Sequence, residues 1–163
     1  MSKLAINGGE KTTNIQWPSW PIWDDKERNG LLEAFDSGEW WYGKRVKQFE
    51  EQYAAFQDAK YGITASSGTT AIETALQALG IGPGDEVIVP AFTWVTSAYC
   101  AEYVGARPVF ADIDPRTFNI DPAALAAVIT PRTKAVVAVH LFGLAAPLEE
   151  ILAIARPRGI AVI

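Results

Sequence analysis

From Lys60 onward the chain alternates two polarity patterns. Short apolar runs, such as Val87-Ile88-Val89 and Ala135-Val136-Val137-Ala138-Val139, are separated by stretches whose apolar residues recur every three or four positions. The first pattern predicts strands covered on both faces, and the second predicts amphipathic helices. In order, the spacing predicts a strand over 61–65 and a helix over 69–79 with Ile72, Ala75, Leu76 and Leu79 on its apolar face. A strand over 86–90, a helix over about 95–104 and a strand over 108–112 follow, and Asp121-Pro122 then opens a helix to Ile129 as N-cap and first-turn proline. A strand over 135–139, a helix over 148–155 and a strand over 160–163 complete the series. Strands alternating with helices predict an α/β fold, a mostly parallel sheet with helices on both faces.

The part before Lys60 reads differently. Residues 1–22 predict an extended arm, broken by Gly8-Gly9, Pro18 and Pro21, and its Trp17, Trp20 and Ile22 call for packing on the chain itself or on another subunit. Residues 23–163 are then read as one domain. Asp24 with Glu27 three positions on predicts a capped helix through Leu31, Leu32 and Phe35, ended at Ser37-Gly38. An aromatic loop, Glu39-Trp40-Trp41-Tyr42-Gly43, leads into a second helix with Val46, Phe49, Tyr53, Ala54 and Phe56 on one stripe.

Composition narrows the function classes. The 163 residues are 49% hydrophobic, enough for a real core, and carry a net charge of −5 with no basic run longer than two residues. That balance argues against nucleic acid and anionic membrane as partners. The start carries no apolar signal region and no later run is long enough to span a bilayer, which points to a soluble cytoplasmic protein. With one cysteine, Cys100, and one histidine, His140, neither an internal disulfide nor a Cys- or His-based metal site is expected.

The chemistry concentrates at Thr64-Ala65-Ser66-Ser67-Gly68-Thr69-Thr70-Ala71. A strand that turns through glycine into a helix presents free backbone N–H groups at the positive end of the helix dipole, a setting that suits a phosphate. The same residues also suit a plain helix cap at Thr69, with no ligand. Gly80-x-Gly82-x-Gly84 is no dinucleotide fingerprint, because it lies after a helix and before a strand, the reverse of the required order.

Six motifs in order extend the picture: Ser66-Ser67-Gly68-Thr69-Thr70-Ala71, Gly84-Asp85-Glu86-Val87-Ile88-Val89-Pro90, Phe92-Thr93-Trp94-Val95, Gly105 to Asp114, Pro131-Arg132-Thr133-Lys134-Ala135 and Val139-His140-Leu141-Phe142-Gly143. Together they resemble the DegT/DnrJ/EryC1/StrS family of pyridoxal-phosphate-dependent sugar aminotransferases, from about Asp24 to Ile163. The Trp17-Pro18 arm, the segment 23–31 and Gly38-Glu39-Trp40-Trp41 look more like the branch that includes aminohydroxybenzoate synthases and inosose aminotransferases. The resemblance implies part of a fold-type-I large domain, without its C-terminal part and small domain, and with the pyridoxal 5′-phosphate site at the carboxyl ends of the strands, where open α/β sheets place their ligands. It implies Gly68 and Thr69, beside Ser67 and Thr70, as the phosphate-binding residues, and Trp94 as the aromatic stacked on the cofactor ring. Core packing is the alternative for Trp94. For His140 the choice is between substrate contact and a structural role, and Trp41 and Tyr42 are candidate substrate contacts. Arg107, Asp112, Asp114 and Arg132 read as structural pairs or solvated residues.

Pyridoxal phosphate chemistry needs a lysine to form a Schiff base and a carboxylate at the pyridine nitrogen. The resemblance puts both after Ile163, and none of the seven lysines matches the family position, so no catalytic residue is assigned in this chain. Three readings stay open: an aminotransferase moving an amino group from glutamate or glutamine to a keto sugar or cyclitol, as a homodimer with shared sites; a non-catalytic fragment holding at most a phosphate-bearing ligand; or a lyase or dehydratase on the same scaffold.

Overall fold

A computed structural model of the chain describes residues 3–163. The first two residues of the predicted arm lie outside the described residues. The backbone divides into two compact units at the Gly62/Ile63 bond.

In the first unit the arm is irregular apart from a 3-10 turn at Ala5–Asn7. Trp17, Trp20 and Ile22 are 80%, 89% and 81% exposed, so they are not packed within this unit. Helix α1, Asp25–Asp36, starts as its sequence predicts: the Asp24 side chain accepts from the Lys26 N–H at 2.6 Å, and Glu27 accepts from the Asp24 N–H at 2.8 Å. This reciprocal pairing satisfies donors that a helix start otherwise leaves open. Helix α2, Lys44–Phe56, carries a stacked Phe49–Tyr53 pair on its apolar stripe.

The second unit is the alternating one. Helices α3 (Gly68–Ala78), α4 (Thr96–Tyr103), α5 (Pro122–Val128) and α6 (Leu148–Ala155) alternate with strands β1 (Glu86–Pro90), β2 (Arg107–Ala111), β3 (Thr133–Val136) and β4 (Ala161–Val162). The strands form one sheet in the order β2-β1-β3-β4, with every neighbour parallel. All five residues of central β1 are buried, and the pleat sends alternate side chains to opposite faces. Val87 and Val89 join Leu76 of α3 and Ala98, Cys100 and Ala101 of α4 on one face. Ile88 joins Leu125 of α5 and Ile151 and Ala155 of α6 on the other. The predicted α/β class, a parallel sheet with helices on both faces, is what the chain adopts.

Two local expectations are corrected. Residues 61–65 are not a strand: Tyr61 and Ile63 are 73% and 80% exposed, and the segment pairs with no strand among the described residues. β propensity without a ladder partner does not make a strand. Pairing in β3 also begins earlier than the apolar run suggests, at Thr133, with Lys134 as the extra residue of a register shift against β1, and ladder bonds run on to Ala138, whose N–H donates to the Ile163 carbonyl at 2.8 Å.

Candidate binding cleft

Helix α3 is capped by Ser67, not by Thr69. Ser67 is extended, at φ −161° and ψ 165°, and its hydroxyl accepts from the Thr70 N–H at 3.2 Å while the Thr70 hydroxyl accepts from the Ser67 N–H at 3.1 Å. The box therefore uses a threonine where a glutamate or glutamine commonly stands. It leaves the first two helical N–H groups, on Gly68 and Thr69, without acceptors among the described residues, and the Thr69 hydroxyl is likewise uncommitted. A Cβ built on Gly68 would meet nothing within 4 Å, so the space in front of these donors is open. The helix end is held from behind, where the buried Cys100 of α4 donates its thiol to the Thr69 carbonyl at 3.3 Å. Burial pushes the Cys100 thiol above its ordinary range, which keeps it protonated as that donor.

These groups open onto a cleft of about 560 Å³ at the carboxyl end of the sheet, lined by Gly68, Thr69 and Ile72, by Thr93, Trp94 and Ser97, and by the segment 137–140 with Ile163. Trp94 is 77% exposed, so the core-packing alternative for it fails. Behind it the buried Ser97 hydroxyl lies 3.3 Å from that of Thr93. His140 accepts at Nδ1 from the Ala146 N–H at 2.9 Å, which puts the ring proton of the neutral imidazole on Nε2. The structure thus brings Gly68, Thr69, Trp94 and His140 to one cleft, with Ser67 as the cap beside it.

Trp41 and Tyr42 belong to the first unit. Trp41 is 90% exposed and lines a separate hollow of about 820 Å³ with Trp40, Glu33 and Arg45, where Phe35 and Trp40 stack at 5.5 Å and Arg45 pairs with Glu33. The Tyr42 hydroxyl donates to Glu50 at 2.7 Å, and that bond holds the phenol above its ordinary range.

At the opposite, amino end of the sheet lies a charged cluster that sequence reasoning did not assemble. Glu86 is 2% exposed and accepts from the Thr130 hydroxyl at 2.5 Å and from Arg132 at 2.7 and 3.1 Å, with Arg107 at 3.9 Å. The Thr130 bond first, and then Arg132, hold its carboxyl below the ordinary 4.5. Asp114 pairs with Arg116 at 3.1 Å. Arg107, Arg132 and Asp114 therefore do the structural work expected of them. Asn119, also 2% exposed, was missed as well, and its only sequence signal is an amide between two apolar neighbours in Phe118-Asn119-Ile120.

The description of the DegT/DnrJ/EryC1/StrS aminotransferase family matches residues 21–163. The chain belongs to this family. It is 45% identical over 147 residues to the 3-amino-5-hydroxybenzoate synthase of Amycolatopsis mediterranei, covering 89% of this chain and 38% of that protein. To the L-glutamine:2-deoxy-scyllo-inosose aminotransferase of Micromonospora echinospora it is 41% identical over 170 residues, covering 100% of this chain and 40% of that one. The crystal structure of a 3-amino-5-hydroxybenzoic acid synthase superposes with a TM-score of 0.87 at 44% identity, covering 90% of this chain and 39% of that one. This member of the DegT/DnrJ/EryC1/StrS family thus spans about two fifths of the length of these relatives, and the branch seen in its aromatic loop and arm is the one they represent.

Proposed function

We propose that this chain supplies the phosphate-binding and ring-stacking side of a pyridoxal 5′-phosphate site, in an aminotransferase that moves an amino group from glutamate or glutamine to a keto sugar or cyclitol. The observation that carries the reading is the pairing, in one cleft, of an open helix start with a 77% exposed indole. The residues present fit the group. Two unpaired N–H donors and the Thr69 hydroxyl meet the need of a phosphate, the space in front of Gly68 admits it, and the flat Trp94 suits a flat ring by offset stacking. The relatives' names support the acceptor class, and the name of the inosose aminotransferase supports glutamine as donor.

In this reading Ser67 holds the helix start rigid, Gly68 and Thr69 bind the phosphate, and Trp94 orients the ring and excludes water from one face. The group, when bound, supplies the electron sink that stabilises a carbanion during amino transfer. His140, Trp41 and Tyr42 stand as candidate substrate contacts. None of the seven lysines lines the cleft, so the chain by itself is proposed to hold the cofactor without turning it over. A homodimer with shared sites belongs to the same proposal.

Calorimetric titration of the chain with pyridoxamine 5′-phosphate, whose amine cannot condense with surface lysines, tests the reading. Saturable binding that fails for unphosphorylated pyridoxamine and weakens in Thr69→Val and Trp94→Ala is the expected result. Equal binding with and without the phosphate refutes it.

A further inference from the structure

The loop after β3 is held in a shape it would not choose alone. Phe142 sits at φ +53°, in the left-handed region that costs a bulky side chain energy, and its own side chain is 84% exposed, so its packing does not compensate. What holds the loop is the buried Asn119, which lies in the turn between β2 and α5. Its Oδ1 accepts from the Leu141 N–H at 3.1 Å, and its Nδ2 donates to the Leu144 and Ala145 carbonyls at 3.1 and 3.2 Å. These three bonds clamp both ends of the segment 141–145. The next residue, Ala146, points its N–H at His140 Nδ1 at 2.9 Å. His140 Nε2 makes no hydrogen bond among the described residues, and His140 is one of the residues lining the cleft with Thr69 and Trp94.

We propose that Asn119 is a positioning residue for the cleft. By fixing the loop it sets the Ala146 N–H against Nδ1, which locks neutral His140 in one tautomer and makes Nε2–H a donor for an oxygen of the bound ligand. The ligand half of this inference rests on the cofactor reading above. The clamp itself does not. A neutral imidazole free of such a lock exchanges its proton between both nitrogens and offers the cleft an acceptor part of the time. Fixing the donor form favours an oxyanion or carbonyl oxygen and disfavours a ligand N–H at that point.

His140 is the only histidine, so nitrogen NMR of the chain labelled with 15N-histidine reports this ring without assignment. At a pH where the imidazole is neutral, the wild-type chain is expected to show a single tautomer with the proton on Nε2. Asn119→Ala, and Asn119→Asp, which keeps the size and an acceptor for Leu141 but loses both amide donors, are expected to show a mixture of tautomers. Their affinity for pyridoxamine 5′-phosphate is expected to fall by the fraction of the donor tautomer lost, about twofold for an even mixture. An Nδ1–H tautomer or a mixture in the wild-type chain overturns the clamp, and this reading needs no variant to fold. A folded Asn119→Asp with one Nε2–H tautomer overturns it too. A tautomer mixture with unchanged affinity in that variant overturns the ligand contact. Failure of the wild-type chain to bind the probe refutes the cofactor reading and with it that contact, while a single Nε2–H tautomer in the ligand-free chain still supports the clamp.

Discussion

Ser67 and Thr69 stand two residues apart at the same helix start, yet the structure divides their work, and two substitutions separate the halves. Ser67→Ala removes the acceptor of the Thr70 N–H bond, which is 3.2 Å long and exposed. It leaves the Thr70 hydroxyl bonded to the Ser67 backbone, as acceptor at 3.1 Å and as donor at 2.9 Å. Loss of a serine N-cap costs typically about 1 kcal/mol, and the surviving half of the box places this one at about 0.5–1 kcal/mol. For a cooperative unit of about 100 residues that is a fall in Tm of about 3–6 °C. Ser67→Gly keeps the extended backbone and loses only about a few tenths of a kcal/mol, so it melts above the alanine variant. Thr69→Val makes the opposite change. The Thr69 hydroxyl has no partner among the described residues and valine keeps its shape, so Tm should stay within about 1 °C while affinity for pyridoxamine 5′-phosphate drops about tenfold, for one lost hydrogen bond. Thermal melts by circular dichroism, with and without the ligand, read both effects. A Ser67→Ala variant that melts with the wild type, or a Thr69→Val variant that is the less stable of the two without ligand, refutes this division.

Other expectations rest on separate parts of the fold. Glu86→Gln tests the buried cluster through pH: the Glu86 carboxyl titrates below its ordinary 4.5, so its charge stabilises the fold fully above that value and the contribution is lost as pH falls through the depressed one. The variant should therefore melt below the wild type at pH 7 and lose less on acidification to about pH 3, and an unchanged pH slope in melts would refute this. Leu76→Ala empties a fully buried position between α3 and β1 and should cost about 2–5 kcal/mol in urea unfolding, where a cost under about 1 kcal/mol would mean that the site collapses or is not core. Borohydride reduction of the chain with pyridoxal 5′-phosphate should leave no single dominant lysine adduct by peptide mass analysis, since no lysine lines the cleft, and one specific adduct would refute the proposed lack of turnover. Light scattering should find self-association, given exposed Phe92, Tyr99, Tyr103, Phe110 and Phe118 on one unit, and a clean monomer would count against it.

Which of these features were legible in the sequence follows from how far apart the partners lie along the chain. The Asp24/Glu27 capping box and the Asp121-Pro122 helix start are local, and both stand where the sequence puts them. The apolar Val87-Ile88-Val89 run of β1 announces a strand covered on both faces, and the two packed faces bear this out. The segment 61–65 failed because a strand is a relation between segments, and side-chain preference carries no news of a missing partner. The cap falls on Ser67 and not, as the sequence suggests, on Thr69, because both offer a hydroxyl and only the extended backbone at Ser67 decides. Glu86 meets Thr130 and Arg132 across 44 and 46 positions, and Asn119 meets its loop across 22 to 26, separations at which no local pattern survives.

The two ends of the sheet show why those long-range pairs matter to the cleft. At the amino end the buried Glu86 carboxylate is met by Thr130 and Arg132, so its charge is committed within the fold. At the carboxyl end the first two α3 N–H groups, the Thr69 hydroxyl, His140 Nε2 and the face of Trp94 are all uncommitted among the described residues. Uncommitted donors at a helix start cost little only while solvent or a ligand reaches them, so the exposure of Trp94 and the openness at Gly68 belong to the same arrangement as the donors. A substitution that closes the cleft should therefore remove binding and leave those donors desolvated as well. Gly68→Leu, which adds side chain into that open space, is expected to abolish binding of pyridoxamine 5′-phosphate and to lower Tm more than Gly68→Ala does, in a comparison by calorimetry and melting. If Gly68→Leu binds the ligand as the wild type does, the α3 start is only a cap, and the cleft's chemistry lies elsewhere.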